Sequence, residues 1–181
     1  CMEKLQKGHA GQAQIDALVA EHKAEPMYQY GKLVGCVKKA HDFDAALSEH
    51  VMFENLVSKA SGAFALGLLL EKTGLAAEEI EYIIECSEEA CEERDQRGGG
   101  NLGKAIGESC GCVNATGSDT RSFCGGPAHA MVEAAAVGEA GVYQHGVVLA
   151  GGASAKLGLN AKDHAKKGLP ILEDCLGAFA V

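Results

Sequence analysis

The stretch Thr116-Gly-Ser-Asp-Thr-Arg-Ser-Phe-Cys124-Gly-Gly-Pro-Ala-His-Ala130 decides how the middle of the chain is expected to fold. The segment before it, Cys112–Thr116, is short and partly β-branched, which is typical of a buried strand. The segment after it, Ala128–Ala140, is rich in Ala, Met, Val and Glu, which predicts a helix packed in the interior. Cys124 is therefore expected in a strand-to-helix turn, at or just before the first turn of that helix.

A thiol at the start of a helix has a physical reason to react. The helix terminus carries about half a positive charge, which favours thiolate over thiol, and its N–H groups can stabilise an anion developing on an attacked carbonyl. Gly125 and Gly126 leave the turn without side-chain bulk, so we predict that they bind the substrate. Cys124 is the candidate nucleophile, and acyl transfer is the reaction class that suits it. The residues alone leave a second interpretation open, because cysteine is also among the most buried residue types.

Composition predicts a globular domain and excludes some classes of partner. The chain has 181 residues, of which 47% are hydrophobic, enough for one domain with a sizeable core. Its formal net charge of −9 argues against nucleic acid or an anionic membrane surface as the main partner. The 8 cysteines are spread through apolar patterns, which favours a reducing, cytoplasmic location. Because the chain starts at Cys1 and stops inside an apolar run at Val181, we expect a fragment of a longer polypeptide.

Helical and strand patterns alternate along the chain, which predicts an α/β layered domain with a largely parallel sheet. The helix with the clearest 3.6-residue spacing is expected to end at Gly74. The predicted helices are Gln12–Lys23, Leu47–Thr73, Asn101–Ser109 and Ala128–Ala140, and the predicted strands are Leu33–Val37, Ile80–Ile84, Cys112–Thr116, His145–Ala150 and a pair within Leu169–Val181.

Other motifs have weaker claims to a function. The stretch Gly98–Gly103 matches the glycine pattern of a dinucleotide site, but a long acidic segment separates it from the strand before it, so a hinge before a helix is the better interpretation. Cys110 and Cys112 lack the spacing of a structural zinc site, and neither a metal nor another cofactor is predicted. His129 is expected to point away from Cys124. A solvated face that could dock a basic partner is predicted for the acidic residues Glu88, Glu89, Glu92, Glu93 and Asp95.

The order of these elements resembles the N-terminal half of the thiolase fold, most closely that of β-ketoacyl-acyl carrier protein synthase III. In that family the nucleophilic cysteine lies between a short strand and an Ala-rich helix, which is the place that Cys124 occupies here. The resemblance implies that residues 26–181 are the N-terminal half of a thiolase-like domain and that residues 1–25 are a peripheral helical segment. It also implies that histidine or asparagine partners of the cysteine lie in the half that this chain does not contain.

Four motifs resemble, more specifically, the β subunit of component C of the glycine/sarcosine/betaine reductase complex. They are Ile84-Glu-Cys-Ser-Glu-Glu-Ala-Cys91, Gln96-Arg-Gly-Gly-Gly-Asn101, Cys112-Val-Asn-Ala-Thr-Gly-Ser-Asp-Thr-Arg121 and Gly151-Gly-Ala-Ser-Ala-Lys-Leu-Gly158. The resemblance implies that Cys124 takes an acetyl group, derived from a carboxymethyl-selenoprotein, as a thioester that phosphate releases as acetyl phosphate. The implied partners are that selenoprotein (component A), a phosphate-using α subunit of component C, and a second copy of the chain paired through Cys112–Ser118.

Two other functions stay open at this point. The chain could be a non-catalytic scaffold that docks the selenoprotein through its acidic face. It could also be an acyltransferase that resembles β-ketoacyl synthase III but has another specificity.

Overall fold

The computed structural model describes residues 10–39, 48–87, 101–152, 167–170 and 177–181. These residues divide into two compact units, the first formed by the described residues up to Leu56 and the second by those from Val57 onward. In this part of the chain we find no helix with the length and apolar character needed to cross a membrane.

The first unit is built on a two-stranded antiparallel hairpin. Helix α1 (Gln12–Ala20) contacts strands β1 (Ala24–Gln29) and β2 (Lys32–Lys38). The tight turn of the hairpin is made by Tyr30 and Gly31, whose φ angles of 49° and 73° match the paired left-handed conformation that joins twisted strands. The predicted helix at Gln12 and the predicted strand at Leu33 are confirmed, whereas β1 was not foreseen.

Helix α2 (Glu49–Thr73) confirms the strongest helical pattern in the sequence. Gly74 follows it with a φ of 72°, the left-handed conformation in which helices commonly end. The α2 residues from Val57 onward belong to the second unit, and Leu66 is their most deeply buried side chain.

A four-stranded mixed sheet forms the centre of the second unit. Its strands are β3 (Tyr82–Glu85), β4 (Thr116–Asp119), β5 (Gly146–Ala150) and β6 (Phe179–Ala180), in the spatial order β4-β3-β5-β6. Strand β3 pairs in parallel with both β4 and β5, and β6 pairs antiparallel with β5. The predicted α/β class, with a mixed, largely parallel sheet flanked by helices, is confirmed.

Alternate residues of the central strands enter two cores, one on each face of the sheet. Ile83 of β3 packs into the core that also contains Leu66 of α2 and Ile106 of helix α3 (Leu102–Ser109). Ile84, its neighbour in β3, packs on the other face with Ala130 of helix α4 (Gly126–Glu139). The sheet therefore lies between α2 and α3 on one side and α4 on the other, as the two-residue period of strands requires.

The strand predicted over Cys112–Thr116 is wrong. Residues 112–115 instead form the turn that follows helix α3, in which the N–H of Cys112 donates to the carbonyl of Gly107 (2.9 Å) after Gly111 adopts a φ of 88°. Val113, whose β-branched side chain favoured a strand, is exposed. The strand begins only at Thr116. Similarly, the strand predicted at Ile80 starts at Tyr82, since Ile80 caps a short 3-10 turn.

Helix α4 forms where the Ala128–Ala140 pattern predicted a helix. The prediction that this helix packs in the interior is wrong. The buried residues of the helix are Gly126 and Ala130, both small. Met131 and Val132 are 48% and 71% exposed, so the opposite face of the helix is open in this chain. The helix packs against the sheet through a narrow strip of small residues.

Several predicted features lie outside the described residues. They include the acidic cluster from Glu88 to Asp95, Cys91 and the first glycines of the Gly98–Gly103 motif. Of the strand pair predicted near the C-terminus, β6 is described and residues 171–176 are not.

Candidate active site

Cys124 lies at the carboxyl edge of the parallel strands, where α/β proteins commonly place their ligand sites. Three residues separate the end of β4 from a single 3-10 turn, Phe123–Gly125, and that turn runs directly into α4. Cys124 is the central residue of the turn, and it is exposed. The sequence therefore predicted the location of Cys124 correctly, in a strand-to-helix turn at the start of a helix.

The turn holds one strained residue. Phe123 has a φ of 45°, a left-handed conformation that costs an L-residue about 1–2 kcal/mol, and its side chain is 81% exposed. Residues kept in such a conformation persist only where the surrounding structure holds them, and they cluster at functional sites. The strain thus falls on the residue immediately before the candidate nucleophile.

The sequence predicted that N–H groups at this helix terminus can stabilise an anion, but those of Gly125 and Gly126 already have acceptors. The N–H of Gly125 donates to the carbonyl of Ser122 (2.9 Å), and the N–H of Gly126 donates to the carbonyl of Phe123. Both donors are used within the turn. A role of these glycines in substrate binding, which stays a prediction, would have to depend on their small size.

Gly126 also has a packing reason to be glycine. A Cβ atom at this position would lie 3.0 Å from the carbonyl oxygen of Cys86, so the absence of a side chain lets the start of α4 approach the end of β3. Gly125 is less crowded: the atoms nearest to an added Cβ would be Ser122 Oγ at 3.4 Å and His129 Cδ2 at 3.6 Å. The exposed ring of His129 therefore lies near Gly125, and its direction relative to the Cys124 sulfur stays a prediction.

A cluster of charged side chains, with one fully buried member, lies at the ends of β3 and β4. Glu85, the last residue of β3, is fully buried, and its Oε2 atom is 2.6 Å from Nη1 of Arg121. Nη2 of the same guanidinium is 3.5 Å from Oδ2 of Asp119. Asp119 in turn accepts hydrogen bonds from the first two N–H groups of α3, those of Leu102 (2.8 Å) and Gly103 (2.9 Å).

Glu133, a residue of α4, links that helix to the end of β4 by hydrogen bonds. Its two carboxylate oxygens accept hydrogen bonds from Ser118 Oγ (3.1 Å) and Thr120 Oγ1 (2.7 Å). The link between β4 and Cys124 is therefore tied to both elements that flank it.

Burial, full or partial, changes the chemistry of three other cysteines. Burial, with a smaller contribution from the Glu85 carboxylate, raises the pKa of the Cys86 thiol to about 11. Burial likewise raises the pKa of Cys112 to about 11, and it also raises the pKa of Cys110. These thiols stay protonated at neutral pH and are poor nucleophiles, since the thiolate is the reactive form.

Two other kinds of ligand site, a metal cluster and an apolar groove, do not coincide with the position of Cys124 in the described residues. No group of three His, Cys, Asp or Glu side chains suited to a metal ion occurs among the described residues. An apolar groove of about 510 Å³ runs along α2, lined by residues such as Phe64 and Leu68, and Cys124 is not part of its lining. The candidate site is an open edge of the sheet.

Sequence reasoning missed the charge cluster, although a signal for it existed. Glu85 directly follows a run of apolar strand residues, and Asp119 and Arg121 come just before the candidate nucleophile. Charged residues at the ends of parallel strands meet at one edge of the sheet, so the pairing of these two strands would have been needed to bring the three together.

Comparison with known proteins supports the motif-based resemblance. The chain is 59% identical over 169 residues, or 93% of its length, to glycine/sarcosine/betaine reductase complex component C subunit beta of Peptoclostridium acidaminophilum. The resemblance to this subunit is confirmed. The chain spans 33% of the length of the component C subunit beta that it matches. No family model matches the chain.

Two solved structures are similar to part of the fold. One is the priming β-ketosynthase of the R1128 polyketide pathway, with a TM-score of 0.45 and 22% identity over 64% of this chain and 30% of that one. The other is cerulenin-bound OleA of Xanthomonas campestris, with a TM-score of 0.44 and 15% identity over 65% of this chain and 30% of that one.

Proposed function

We propose that this chain is the nucleophile-bearing part of an acetyl-transferring subunit in a glycine/sarcosine/betaine reductase complex. The observation that carries the proposal is the placement of Cys124, an exposed thiol at the start of α4 and at the carboxyl edge of the sheet. The 59% identity to component C subunit beta supports the choice of complex. Residues 26–181 would form the N-terminal half of a thiolase-like domain, with residues 1–25 at its periphery.

In the proposed reaction the Cys124 thiol forms an acetyl thioester with the carboxymethyl group of the selenoprotein, and water leaves from the carboxyl group. The carbon–selenium bond is broken reductively by a thiol of that selenoprotein, which ends in a selenium–sulfur bond. An oxygen of inorganic phosphate then attacks the thioester carbonyl carbon, the carbon–sulfur bond breaks, and acetyl phosphate leaves while the thiol is regenerated. The buried thiols of Cys86 and Cys112 do not compete, because their raised pKa values keep them protonated. The chain's own contribution is to hold one reactive sulfur open to its substrate.

The test uses the reverse of the last step, transfer of the acetyl group from acetyl phosphate to Cys124, in the full-length protein. Incubation with isotopically labelled acetyl phosphate should place a thioester on Cys124, mapped by mass spectrometry after digestion. The Cys124→Ser variant should lose the label, and the matched Cys36→Ser variant should keep it. A label found mainly on another residue, or turnover unchanged in Cys124→Ser, would exclude Cys124 as the acyl carrier.

The same experiment separates the two alternatives. A non-catalytic scaffold would bind the selenoprotein in a salt-sensitive manner, form no covalent intermediate and keep its binding in Cys124→Ala. An acyltransferase of other specificity would form the Cys124 adduct with other acyl thioesters and not with acetyl phosphate.

The proposed partners are selenoprotein component A, the phosphate-using α subunit of component C and a second copy of this chain. Strand β4 lies at the edge of the described sheet, so one side of its backbone faces no described strand. Such an edge is a template for pairing with another chain, and the homodimer predicted near Cys112–Ser118 would use it. Analytical ultracentrifugation should then give the mass of a dimer, and a monomer at micromolar concentration would refute this pairing. We also infer a cytoplasmic location, from the cysteine pattern.

A further inference from the structure

The Glu85 carboxylate is the centre of a hydrogen-bond network that joins three strand ends. Its Oε2 atom meets Arg121, and its Oε1 atom accepts from the N–H of Ser87 (2.9 Å) and from the Ser87 hydroxyl. The Ser87 oxygen in turn accepts from the N–H of Gly151 (2.9 Å), just after β5. Both carboxylate oxygens therefore have hydrogen-bond partners. Glu85 is 0% exposed, and a buried charge is costly unless it is paired and hydrogen-bonded.

Arg121 is the one member of this network on the link that leads to Cys124. Its Nη1 atom is 2.6 Å from Oε2 and 3.4 Å from the backbone oxygen of Glu85, while Nη2 is 3.5 Å from Asp119. A guanidinium presents several donors in one rigid plane, whereas a lysine ammonium offers a single point charge. Arg121 thus fixes the link against two strand ends at once.

The link needs such support because the residue after Ser122 is strained. Phe123 has its φ of 45° two residues after Arg121 and one before Cys124. A strained residue is kept in place only when its surroundings determine its conformation. On the C-terminal side the start of α4 packs against Cys86, and on the N-terminal side the closest charged contact is that of Arg121 with Glu85.

We propose that Arg121, held by the buried Glu85, is a positioning residue that sets the orientation of Cys124 for acyl transfer. The inference rests on the proposed function of Cys124. It assigns Arg121 no contact with the substrate. Its effect passes through the backbone between residues 121 and 124, so it should change the rate of the acyl-transfer step more than the binding of the acyl donor.

The test measures exchange of labelled phosphate into acetyl phosphate, a turnover that passes through acetylated Cys124, in the full-length protein and its variants. In Arg121→Met we expect kcat per folded molecule to fall about 10-fold to 100-fold with KM almost unchanged, because small misplacements cost this much in a reaction that depends on orientation. Arg121→Lys should recover part of the rate, since it keeps the charge and loses the planar fork. The control Lys72→Met removes one exposed positive charge from the end of α2 and should behave as wild type.

Pairing with Glu85 is tested by a double-mutant cycle. Because Arg121→Met already breaks the ion pair, adding Glu85→Gln should cause no further loss, and the double variant should be no slower than Arg121→Met alone. If Arg121→Met does not fold, Arg121→Lys carries the test, with an expected loss in kcat of several-fold. Wild-type kcat in folded Arg121→Met or Arg121→Lys would overturn the inference and leave the proposed function standing. If wild-type Cys124 takes no acetyl group, both fail.

Discussion

Gly151 lies so close to α2 that a Cβ atom added to it would be 2.0 Å from the carbonyl oxygen of Ser58. The same atom would be 2.5 Å from Ser61 Oγ and 2.7 Å from the backbone nitrogen of Gly62. Two of these three atoms belong to the helix backbone, which cannot yield without moving the helix away from the sheet. We therefore expect Gly151→Ala to lower the free energy of unfolding by about 3 kcal/mol, measured by urea denaturation.

Gly67 provides a matched control for this substitution on the same helix. It is exposed, and nothing lies within 4 Å of an added Cβ atom. Gly67→Ala should raise the free energy of unfolding by up to about 1 kcal/mol, because alanine favours the helical conformation over glycine. Equal stability of the two alanine variants would contradict the close approach of Gly151 to α2.

The start of α3 depends on an N-cap at Asn101. Its Oδ1 atom accepts from the N–H of Lys104 (2.7 Å), and its Nδ2 atom donates to the carbonyl of Gly117 (2.8 Å). Asn101→Ala removes both bonds, so the free energy of unfolding should fall by about 1–2 kcal/mol in urea denaturation. Asn101→Ser keeps a capping oxygen and should lose less. A larger loss in the serine variant would show that the cap is not what stabilises this end of α3.

The described cysteines should differ in their reactivity with iodoacetamide at neutral pH. Cys124 is exposed, whereas Cys86 and Cys112 are buried and their pKa values are raised to about 11. We expect Cys124 to be alkylated first, by at least about 10-fold in rate, because both access and thiolate fraction limit the buried thiols. Peptide mapping by mass spectrometry over a time course measures this. In urea the difference should disappear, and a native protein in which Cys86 reacts as fast as Cys124 would refute the arrangement.

The sequence predicted the elements whose patterns are local. Helix α2 has a long apolar period and a glycine stop, and β5 is a short apolar run before Gly151, so both were predicted correctly within a few residues. The position of Cys124 in its turn followed from the same local signals. Strand β4 was misplaced because Cys112 and Val113 have strand-forming side chains, yet the backbone there forms the turn after α3 instead.

Features that depend on distant parts of the chain were not predictable in this way. The ion pair between Glu85 and Arg121 joins residues 36 positions apart, and only the parallel pairing of β3 with β4 brings them together. The sequence predicted N–H groups at the helix terminus that can stabilise an anion, but those of Gly125 and Gly126 are used because the backbone forms a 3-10 turn before α4. Local patterns thus located the candidate nucleophile, and tertiary pairing determined what holds it.

The buried thiols predict a loss of stability at alkaline pH. In the folded protein the pKa values of Cys86 and Cys112 are about 11, against an ordinary value of 9.0. Between these values an unfolded chain releases the two protons while the folded chain still retains them. Unfolding then becomes more favourable as pH rises, on the order of 1 kcal/mol per pH unit for each thiol.

Urea denaturation at a series of pH values from 7 to 11 measures this slope, with about pH 9 as the expected onset. Cys112→Ala is expected to be less stable at pH 7, because it leaves a small cavity in the core. Its stability should nevertheless fall less steeply above pH 9 than that of the wild type, since one of the two protons is gone. Cys36→Ala leaves both buried thiols in place and serves as the control for the loss of a cysteine. An unchanged slope in Cys112→Ala would mean that the Cys112 thiol is not shielded from water in the folded state.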